Sequence, residues 1–249
     1  MSVVLRPLSG RLVLVTGAAR GIGLATAAAL VDAGARVYAV ARRAGLAEER
    51  LGARRMGTGR LTVRPLDVTG PAAVEALVDE IGQEAPLDAL VCCAGTNIPE
   101  RRMGQLTDGS WRSLLETNLT GVFSCVRAAL PQLRKSRGQV VVVSSVSALW
   151  PDVSGPAYQA SKGGVLAFVR AAAIEEHEHG VRFTSVLPGM VGTELLDKRP
   201  EPPTAEVLAQ CLQPEDVAAT IVFALSLPER ACLAELTVLP SALQSLGRT

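Results

Sequence analysis

Short apolar runs rich in β-branched residues alternate along this chain with longer segments of helical period. Several of the runs are apolar at consecutive positions, which is typical of strands buried on both faces of a parallel sheet. These runs predict seven strands, at 11–16, 36–41, 61–64, 88–93, 139–144, 181–187 and 235–239. Apolar stripes of period 3.6 predict helices near 22–33, 71–84, 108–135, 157–179 and 214–227.

The regular alternation of strand and helix predicts an α/β fold, a single doubly wound parallel sheet (Rossmann fold) of about seven strands flanked by helices. No linker, repeat or low-complexity segment divides the sequence, so we predict one dinucleotide-binding and catalytic domain over 1–249. The segment 190–213 breaks the pattern and contains Pro200, Pro202 and Pro203. Connections of this length are often functional lids or disordered. We therefore predict that 190–213 is a substrate loop.

Charge and composition exclude several classes of partner. The chain has 249 residues, a formal net charge of +1 and no long basic or acidic run, which predicts no nucleic-acid and no membrane partner. No apolar run approaches the roughly 20 residues of a bilayer span, and the first residues do not form a signal peptide, so we expect a cytoplasmic protein. The five cysteines and two histidines lack zinc spacing, which predicts free thiols and no metal.

A glycine-rich loop follows the first predicted strand and opens the first predicted helix. It reads TGAARGIG at 16–23, a spacing that differs from the usual GxGxxG fingerprint. Gly17 allows a tight turn, Gly21 lets the backbone approach a pyrophosphate, and Gly23 lets the helix pack on the sheet. The free N–H groups and partial positive charge of a helix N-terminus favour phosphate there. The alternative is a plain strand–helix turn without a ligand.

Four polar residues form a candidate catalytic group. Tyr158 and Lys162 are four residues apart and so share one helix face. A nearby ammonium favours the phenolate and would lower the tyrosine pKa from about 10 towards the range of a general acid/base. Ser145 ends the fifth strand, where such sheets bind ligands, and Asn118 is a polar residue within an apolar helix. Each also has an ordinary alternative as a surface pair, a turn residue or a solvated amide.

Taken together, these motifs resemble the short-chain dehydrogenases/reductases, in their compact single-domain branch. The resemblance runs from about Leu12 to Leu239, and the chain departs from it where Cys92 and Cys93 replace the usual Asn-Asn. The C-terminal end resembles the 3-hydroxy acid (serine) dehydrogenases. The matching motifs are TGAARGIG at 16–23, LDV at 66–68, CCAG at 92–95, TNLTG at 117–121, VSSVSA at 143–148, YQASK at 158–162 and PGMVGT at 188–193.

The resemblance implies an oxidoreductase that interconverts a secondary alcohol and a ketone, or a hydroxy acid and a keto acid, by hydride transfer. Tyr158 would be the general acid/base, and Asn118 would hold a water that relays protons by way of Lys162. The alternative is a non-catalytic dinucleotide-binding regulator or scaffold. The implied catalytic tetrad is Asn118, Ser145, Tyr158 and Lys162. The implied cofactor contacts are Gly17, Arg20, Gly21, Ile22, Gly23, Ala41, Arg42, Arg43, Asp67, Val68, Ala94, Gly95, Tyr158, Lys162, Pro188, Gly189, Val191 and Thr193.

The end of the second strand predicts that the cofactor is NADP(H). An NAD-binding sheet normally offers an acid there to the ribose hydroxyls, and the resemblance places that position at Ala41. Arg42 and Arg43 follow, and Arg20 lies in the glycine-rich loop. Guanidinium groups match the oxygens of a 2′-phosphate. Alternatively, these arginines are only solvated.

The sequence says less about the substrate and the assembly than about the cofactor. The candidate substrate pocket includes the apolar residues Trp150, Met190, Leu195 and Leu196. Lys198 and Arg199 could pair with a substrate carboxylate or could be solvated. The predicted helices 108–135 and 157–179 carry small or apolar residues beyond those that one sheet face covers, such as Ala128, Ala171 and Ala172. The resemblance implies a homodimer or homotetramer built through these two helices.

Overall fold

Seven parallel strands form one sheet in the computed structural model, which describes residues 5–243. The spatial order is β3-β2-β1-β4-β5-β6-β7. The strands are β1 Leu12–Thr16, β2 Arg36–Ala41, β3 Leu61–Pro65, β4 Ala89–Cys92, β5 Gln139–Val143, β6 Arg182–Pro188 and β7 Glu235–Val238. This sheet confirms the predicted Rossmann-type α/β fold.

The strand order reverses once, between β1 and β4. The chain builds outward from β1 to β3 and then returns to pair β4 with the other side of β1, with Val13 opposite Ala89 and Thr16 opposite Cys92. At such a reversal, the loops that leave the two strands diverge to opposite faces of the sheet and open a crevice at its carboxyl edge. The fold therefore places its ligand crevice beside Thr16.

Helices cover both faces of the sheet and bury its apolar runs. They are α1 Gly21–Asp32, α2 Ala44–Met56, α3 Pro71–Glu84, α4 Asp108–Leu115, α5 Gly121–Ser136, α6 Pro156–Glu176, α7 Ala205–Gln210 and α8 Pro214–Ser226. Along β1, Val13 and Val15 join the core under α1, α2 and α8, whereas Leu12 and Leu14 join the core under α3, α5 and α6. This alternation follows from the two-residue period of a strand.

Several predicted helices differ from those observed. The single helix predicted at 108–135 is two helices, α4 and α5, joined by the π-helical turn Glu116–Thr120. The helix predicted at 157–179 ends as an α-helix at Glu176 and continues as a 3₁₀ turn. Helix α2 was not predicted, because only Ala47 and Leu51 on it are buried.

The segment 190–213 was predicted without regular structure, yet it contains a 3₁₀ turn, Leu196–Lys198, and the short helix α7. After β7, residues 239–243 form no helix or strand, and residues 244–249 lie outside the described part of the chain. Within residues 5–243, no helix is both long and apolar enough to cross a membrane, and no cluster of three metal-ligating side chains occurs.

Candidate active site

The glycine-rich loop connects β1 to α1 with backbone packed directly against backbone. Gly17 has φ +70°, and a Cβ placed on it would lie 2.7 Å from the amide nitrogen of Ala94. A Cβ on Gly23 would lie 2.4 Å from the carbonyl oxygen of Gly17. Thr16, which the sequence analysis did not single out, accepts hydrogen bonds at Oγ1 from the amides of Cys93 and Ala94, both at 3.2 Å. Because a Cβ would collide with backbone at both Gly17 and Gly23, only glycine fits at these two positions.

A cavity, here called the loop cavity, lies over this turn at the carboxyl edge of the sheet. The open backbone at the start of α1, the absence of an acid at Ala41 and the arginines beside it fit a phosphate-bearing dinucleotide. Thr96, Thr117 and Glu194 also line it, and the sequence analysis had not placed them there. The predicted contacts that line the loop cavity are Gly17, Arg20, Gly21, Ile22, Gly23, Ala41, Arg42, Arg43, Asp67, Val68, Ala94, Gly95 and Thr193.

Charged side chains are unevenly paired around the loop cavity. Arg42 and Arg43 are exposed, and neither forms an ion pair within residues 5–243. By contrast, Nη1 of Arg20 lies 3.2 Å from Oε2 of Glu194, and Nη1 of Arg50 lies 2.7 Å from Oε1 of the same residue. The hydrogen bonds from Arg50 and Arg20 hold the pKa of Glu194 below its usual value. Arg20 is therefore shared with an acid that the sequence analysis did not foresee.

A second cavity, here called the tyrosine cavity, adjoins the loop cavity and shares Ile22, Thr193 and Leu195 with it. It brings together Tyr158, from the first turn of α6, and Ser145, which follows β5. Of the other residues predicted near the nicotinamide or the substrate, the cavity is lined by Pro188, Gly189, Met190, Val191, Leu196 and Arg199. Trp150 and Lys198, predicted near the substrate, do not line it.

Lys162 lies beneath Tyr158 and is 5 % exposed. Its Nζ is 5.8 Å from the centre of the Tyr158 ring and donates a hydrogen bond to the carbonyl oxygen of Val143 at 3.0 Å. Burial lowers the pKa of Lys162 to about 8. Burial also raises the pKa of Tyr158 to about 12, and the neighbouring Ser145 lowers it by less than burial raises it. The sequence predicted a lowered pKa for Tyr158. In the protein without a bound cofactor, the rise in pKa caused by burial is larger than the effects that lower it.

Asn118 is fully buried in the π-helical turn and lines neither cavity. Its Oδ1 accepts a hydrogen bond from the amide of Thr96 at 2.8 Å. Its Nδ2 donates to the carbonyl of Thr96 and to Oγ of Ser161, both at 3.0 Å. The side chain therefore ties the segment after β4 to α6, one turn from Tyr158, rather than facing solvent.

A chain of hydrogen bonds runs from Ser145 along the wall of the tyrosine cavity. Ser145 Oγ lies 3.1 Å from Ser147 Oγ, which donates to Oδ2 of Asp152 at 2.5 Å. Oδ1 of Asp152 accepts from the amide of Ser154 at 2.8 Å and from Gln159 at 3.3 Å. This arrangement was not predicted from the sequence, although Ser147 lies two residues after Ser145 and Asp152 lies in the polar loop that precedes α6.

Arg101 also lies in this site and was not predicted there from the sequence. It lies in a polar stretch and reads as exposed, but it is 6 % exposed and lines the tyrosine cavity. Its Nε donates to the carbonyl of Ile98 at 2.7 Å, and its Nη2 donates to the carbonyl of Lys198 at 2.9 Å. Lys198 itself donates from Nζ at 2.7 Å to Oγ1 of Thr96, a residue that lines the neighbouring loop cavity.

Comparison with known proteins identifies the family. A sequence model described as short chain dehydrogenase matches residues 11–203, which is most of the chain. This chain is a short-chain dehydrogenase. The family resemblance predicted from the motifs is thereby confirmed, and this short-chain dehydrogenase is an oxidoreductase of the kind that acts between alcohols and ketones. Its likeness to serine dehydrogenases at the C-terminal end stays a prediction.

Similar proteins agree with this assignment. L-fucose dehydrogenase of Oryctolagus cuniculus is 36% identical over 230 residues, covering 86% of this chain and 78% of the relative. An alcohol dehydrogenase from the archaeon Thermococcus sibiricus, solved with 5-hydroxy-NADP, superposes with a TM-score of 0.85 at 26% identity, covering 95% and 99% of the two chains. A metagenomic short-chain oxidoreductase solved with NADP gives a TM-score of 0.81 at 26% identity, covering 94% and 99%.

Proposed function

We propose that this short-chain dehydrogenase interconverts a secondary alcohol and a ketone, or a hydroxy acid and a keto acid, using NADP(H), with Tyr158 as general acid/base. The observation that carries the proposal is the contact between the two cavities. The loop cavity, which fits a dinucleotide, opens at Ile22 and Thr193 onto the tyrosine cavity, where Tyr158 and Ser145 converge. When bound, the cofactor supplies or accepts the hydride.

The chain's own residues handle the proton and the orientation of the substrate. With its pKa raised to about 12, Tyr158 is protonated near neutral pH, so reduction of a carbonyl has its proton donor in place. The Tyr158 hydroxyl gives its proton to the substrate oxygen as the carbonyl carbon gains a hydride, and it takes the proton back in oxidation. Ser145 holds that oxygen. The Lys162 ammonium, 5.8 Å from the ring centre, favours the phenolate during oxidation.

NADP(H) is proposed as the cofactor because of the charges around the loop cavity. At position 41 the chain has alanine instead of an acid that would repel a 2′-phosphate. The guanidiniums of Arg42 and Arg43, which have no ion-pair partner among residues 5–243, are available to bind one. Two structurally similar dehydrogenases are described as complexed with 5-hydroxy-NADP and with NADP. In the proposed arrangement Asp67 and Val68 contact the adenine, and Ala94 and Gly95 lie along the ribose.

The remaining contacts proposed from the family pattern are at the nicotinamide end. Pro188, Gly189 and Val191 lie along the nicotinamide, and Thr193 lies near its carboxamide. Asn118 is kept in the proposed tetrad because of where the π-helical turn places it. Its side chain is not free for that role, since its hydrogen bonds go to Thr96 and Ser161. We also propose a cytoplasmic location, which cell fractionation would test.

The substitution Tyr158→Phe tests the acid/base role. We expect it to lower the rate by at least about 3 orders of magnitude, within the roughly 10²–10⁴-fold range of general acid–base catalysis. Affinity for NADPH, measured by its fluorescence, should stay unchanged because the ring remains. Tyr38→Phe is the matched control, since Tyr38 lines neither cavity. Near-normal turnover by Tyr158→Phe would refute the mechanism.

The same preparation separates the enzyme from its alternative. A protein that binds NADPH but reduces no member of a broad panel of ketones, keto acids and sugars would be a dinucleotide-binding regulator or scaffold. L-Fucose belongs in the panel in the oxidation direction, because the similar rabbit protein is named for it. Turnover of any panel member that Tyr158→Phe abolishes excludes the non-catalytic alternative.

Assembly into a homodimer or homotetramer is proposed through α4, α5 and α6. Phe123 on α5 is 43% exposed and packs edge-on against Phe168 of α6, with ring centres 6.1 Å apart. Ile174, near the end of α6, is 74% exposed. Large apolar side chains exposed on two long helices are typical of an interface between copies.

A further inference from the structure

Two guanidinium groups line the tyrosine cavity together with Tyr158. They belong to Arg101 and Arg199, which lie on different loops. In the described chain, 5–243, neither makes an ion pair with an aspartate or glutamate side chain. Arg101 is 6 % exposed, and a buried charge without a counter-charge is unfavourable unless a ligand supplies one.

The guanidinium of Arg101 is held rigidly beside the reacting groups. Nε and Nη2 are fixed by the carbonyls of Ile98 and Lys198, whereas Nη1 has no hydrogen-bond partner within the described residues. The backbone of Arg101 also packs against Gly155, where a Cβ would lie 2.6 Å from the Arg101 carbonyl oxygen. Because Gly155 immediately precedes α6, Arg101 is fixed relative to Tyr158.

Burial lowers the pKa of Arg101, and the proximity of the Arg199 charge lowers it further, which is the mutual repulsion expected of two nearby cations. Among the described lining residues, Asp152 is the single acid of the cavity. Both its oxygens already accept hydrogen bonds, from Ser147 on one side and from Ser154 and Gln159 on the other. The cavity therefore carries two cationic groups against one carboxylate, an excess of one positive charge.

We propose that the substrate carries a carboxylate, which Arg101 and Arg199 bind while its hydroxyl or carbonyl group meets Ser145 and Tyr158. This inference rests on the proposed function and narrows it to hydroxy acids and keto acids. One carboxylate neutralises the excess charge, and the planar guanidinium fork matches the spacing of two carboxylate oxygens. Lys198, considered with Arg199 in the sequence analysis, takes no part because its Nζ bonds Thr96.

The first test compares acids with their esters. Acetoacetate and levulinate are each offered beside their methyl esters, which keep the ketone and lose the charge. We expect kcat/KM with NADPH to be at least about tenfold higher for the acids, since a hydrogen bond to a charged group corresponds to a factor of about 10 to 100. Equal or better reduction of the esters overturns the carboxylate assignment and leaves the proposed function standing.

The second test does not depend on turnover. Cyclohexanecarboxylate and cyclohexanecarboxamide are titrated into the enzyme–NADPH complex, and binding is followed by nicotinamide fluorescence. We expect the carboxylate to bind at least about tenfold more tightly, and Arg199→Gln to abolish the difference. Arg101→Lys should weaken carboxylate binding with unchanged NADPH affinity. The control Arg230→Gln removes the same charge from an exposed position outside both cavities and should change nothing. Equal binding of acid and amide, or a preference that survives Arg199→Gln, refutes the inference.

Discussion

Two substitutions in the loop cavity should change the preference for NADPH over NADH in opposite directions. Arg42→Ala removes an exposed guanidinium without an ion-pair partner in the described residues, whereas Glu194→Gln removes the acid that pairs with Arg20 and Arg50. Arg42→Ala should lower the preference, because a cation near the 2′-phosphate is lost. Glu194→Gln should raise it, because Arg20 is released and a negative charge leaves the cavity.

The size of each expected change in cofactor preference depends on how exposed the substituted side chain is. A pair of unit charges about 4 Å apart is worth about 1 kcal/mol in bulk water and about 4 kcal/mol near a protein surface. Arg42 is exposed, so its contribution to a phosphate lies in the lower part of this range, at about 1–2 kcal/mol, or about 5- to 30-fold. Glu194 is partly exposed and acts on the phosphate mainly through Arg20, so we expect a change of about threefold, or about 0.65 kcal/mol.

The assay is kcat/KM with each cofactor at saturating substrate, supported by fluorescence titration. We expect the parent to prefer NADPH by at least about tenfold, or about 1.4 kcal/mol. The preference should fall as salt rises, because exposed charges are screened. Arg54→Ala, an exposed arginine that pairs with Asp32 and lines neither cavity, is the matched control. A parent that uses NADH equally well, or an Arg42→Ala variant that loses both cofactors alike, would show the charge argument to be wrong.

Three further outcomes follow from the structure. Lys162→Met should move the onset of alcohol oxidation to higher pH, because an ammonium that favours the Tyr158 phenolate is lost, and an unchanged pH–rate profile would exclude that role. Phe123→Ser combined with Ile174→Ser should shift the assembly towards monomer in light scattering, and a parent that is already monomeric at micromolar concentration would contradict the proposed interface. Phe183→Ala, at a side chain 2% exposed in β6, should lower the free energy of unfolding in urea by about 3–5 kcal/mol, whereas a loss below about 1 kcal/mol would mean that the core relaxes into the space.

The central strands were predictable because β1, β4 and β5 are buried along their whole length. Their sequences are apolar at nearly every position, and the bounds predicted for the neighbouring β2 agree with those observed, Arg36–Ala41. Helix α2 gave a weaker signal, since only Ala47 and Leu51 on it are buried, and Ala44, Leu46 and Met56 are only partly buried. The break between α4 and α5 was hidden because the apolar stripe continues across the π-helical turn. Local pattern thus predicts burial better than it predicts helix continuity.

The residues of the site also differ in how well the sequence predicts their position. Residues at the carboxyl ends of parallel strands, such as Ser145, can be placed in the crevice from topology alone. Arg101 could not be placed there, because its contacts with Lys198 join loops that are nearly a hundred residues apart in sequence. The pairing of Arg20 with Glu194 is equally remote, spanning 174 residues. Side chains whose position depends on loop-to-loop contacts leave no periodic trace in the sequence.

The chain of hydroxyls behind Ser145 has a fixed polarity. Asp152 as a carboxylate can only accept, so the proton of Ser147 points to it, and the oxygen of Ser147 in turn attracts the proton of Ser145. Ser145 then presents a lone pair, rather than a proton, to anything else in the cavity. An alcohol can donate to that lone pair at once, whereas a ketone must first draw the Ser145 proton away from Ser147. For a substrate bound as proposed, we expect this network to stabilise the alcohol relative to the ketone, which would shift the equilibrium on the enzyme towards the alcohol.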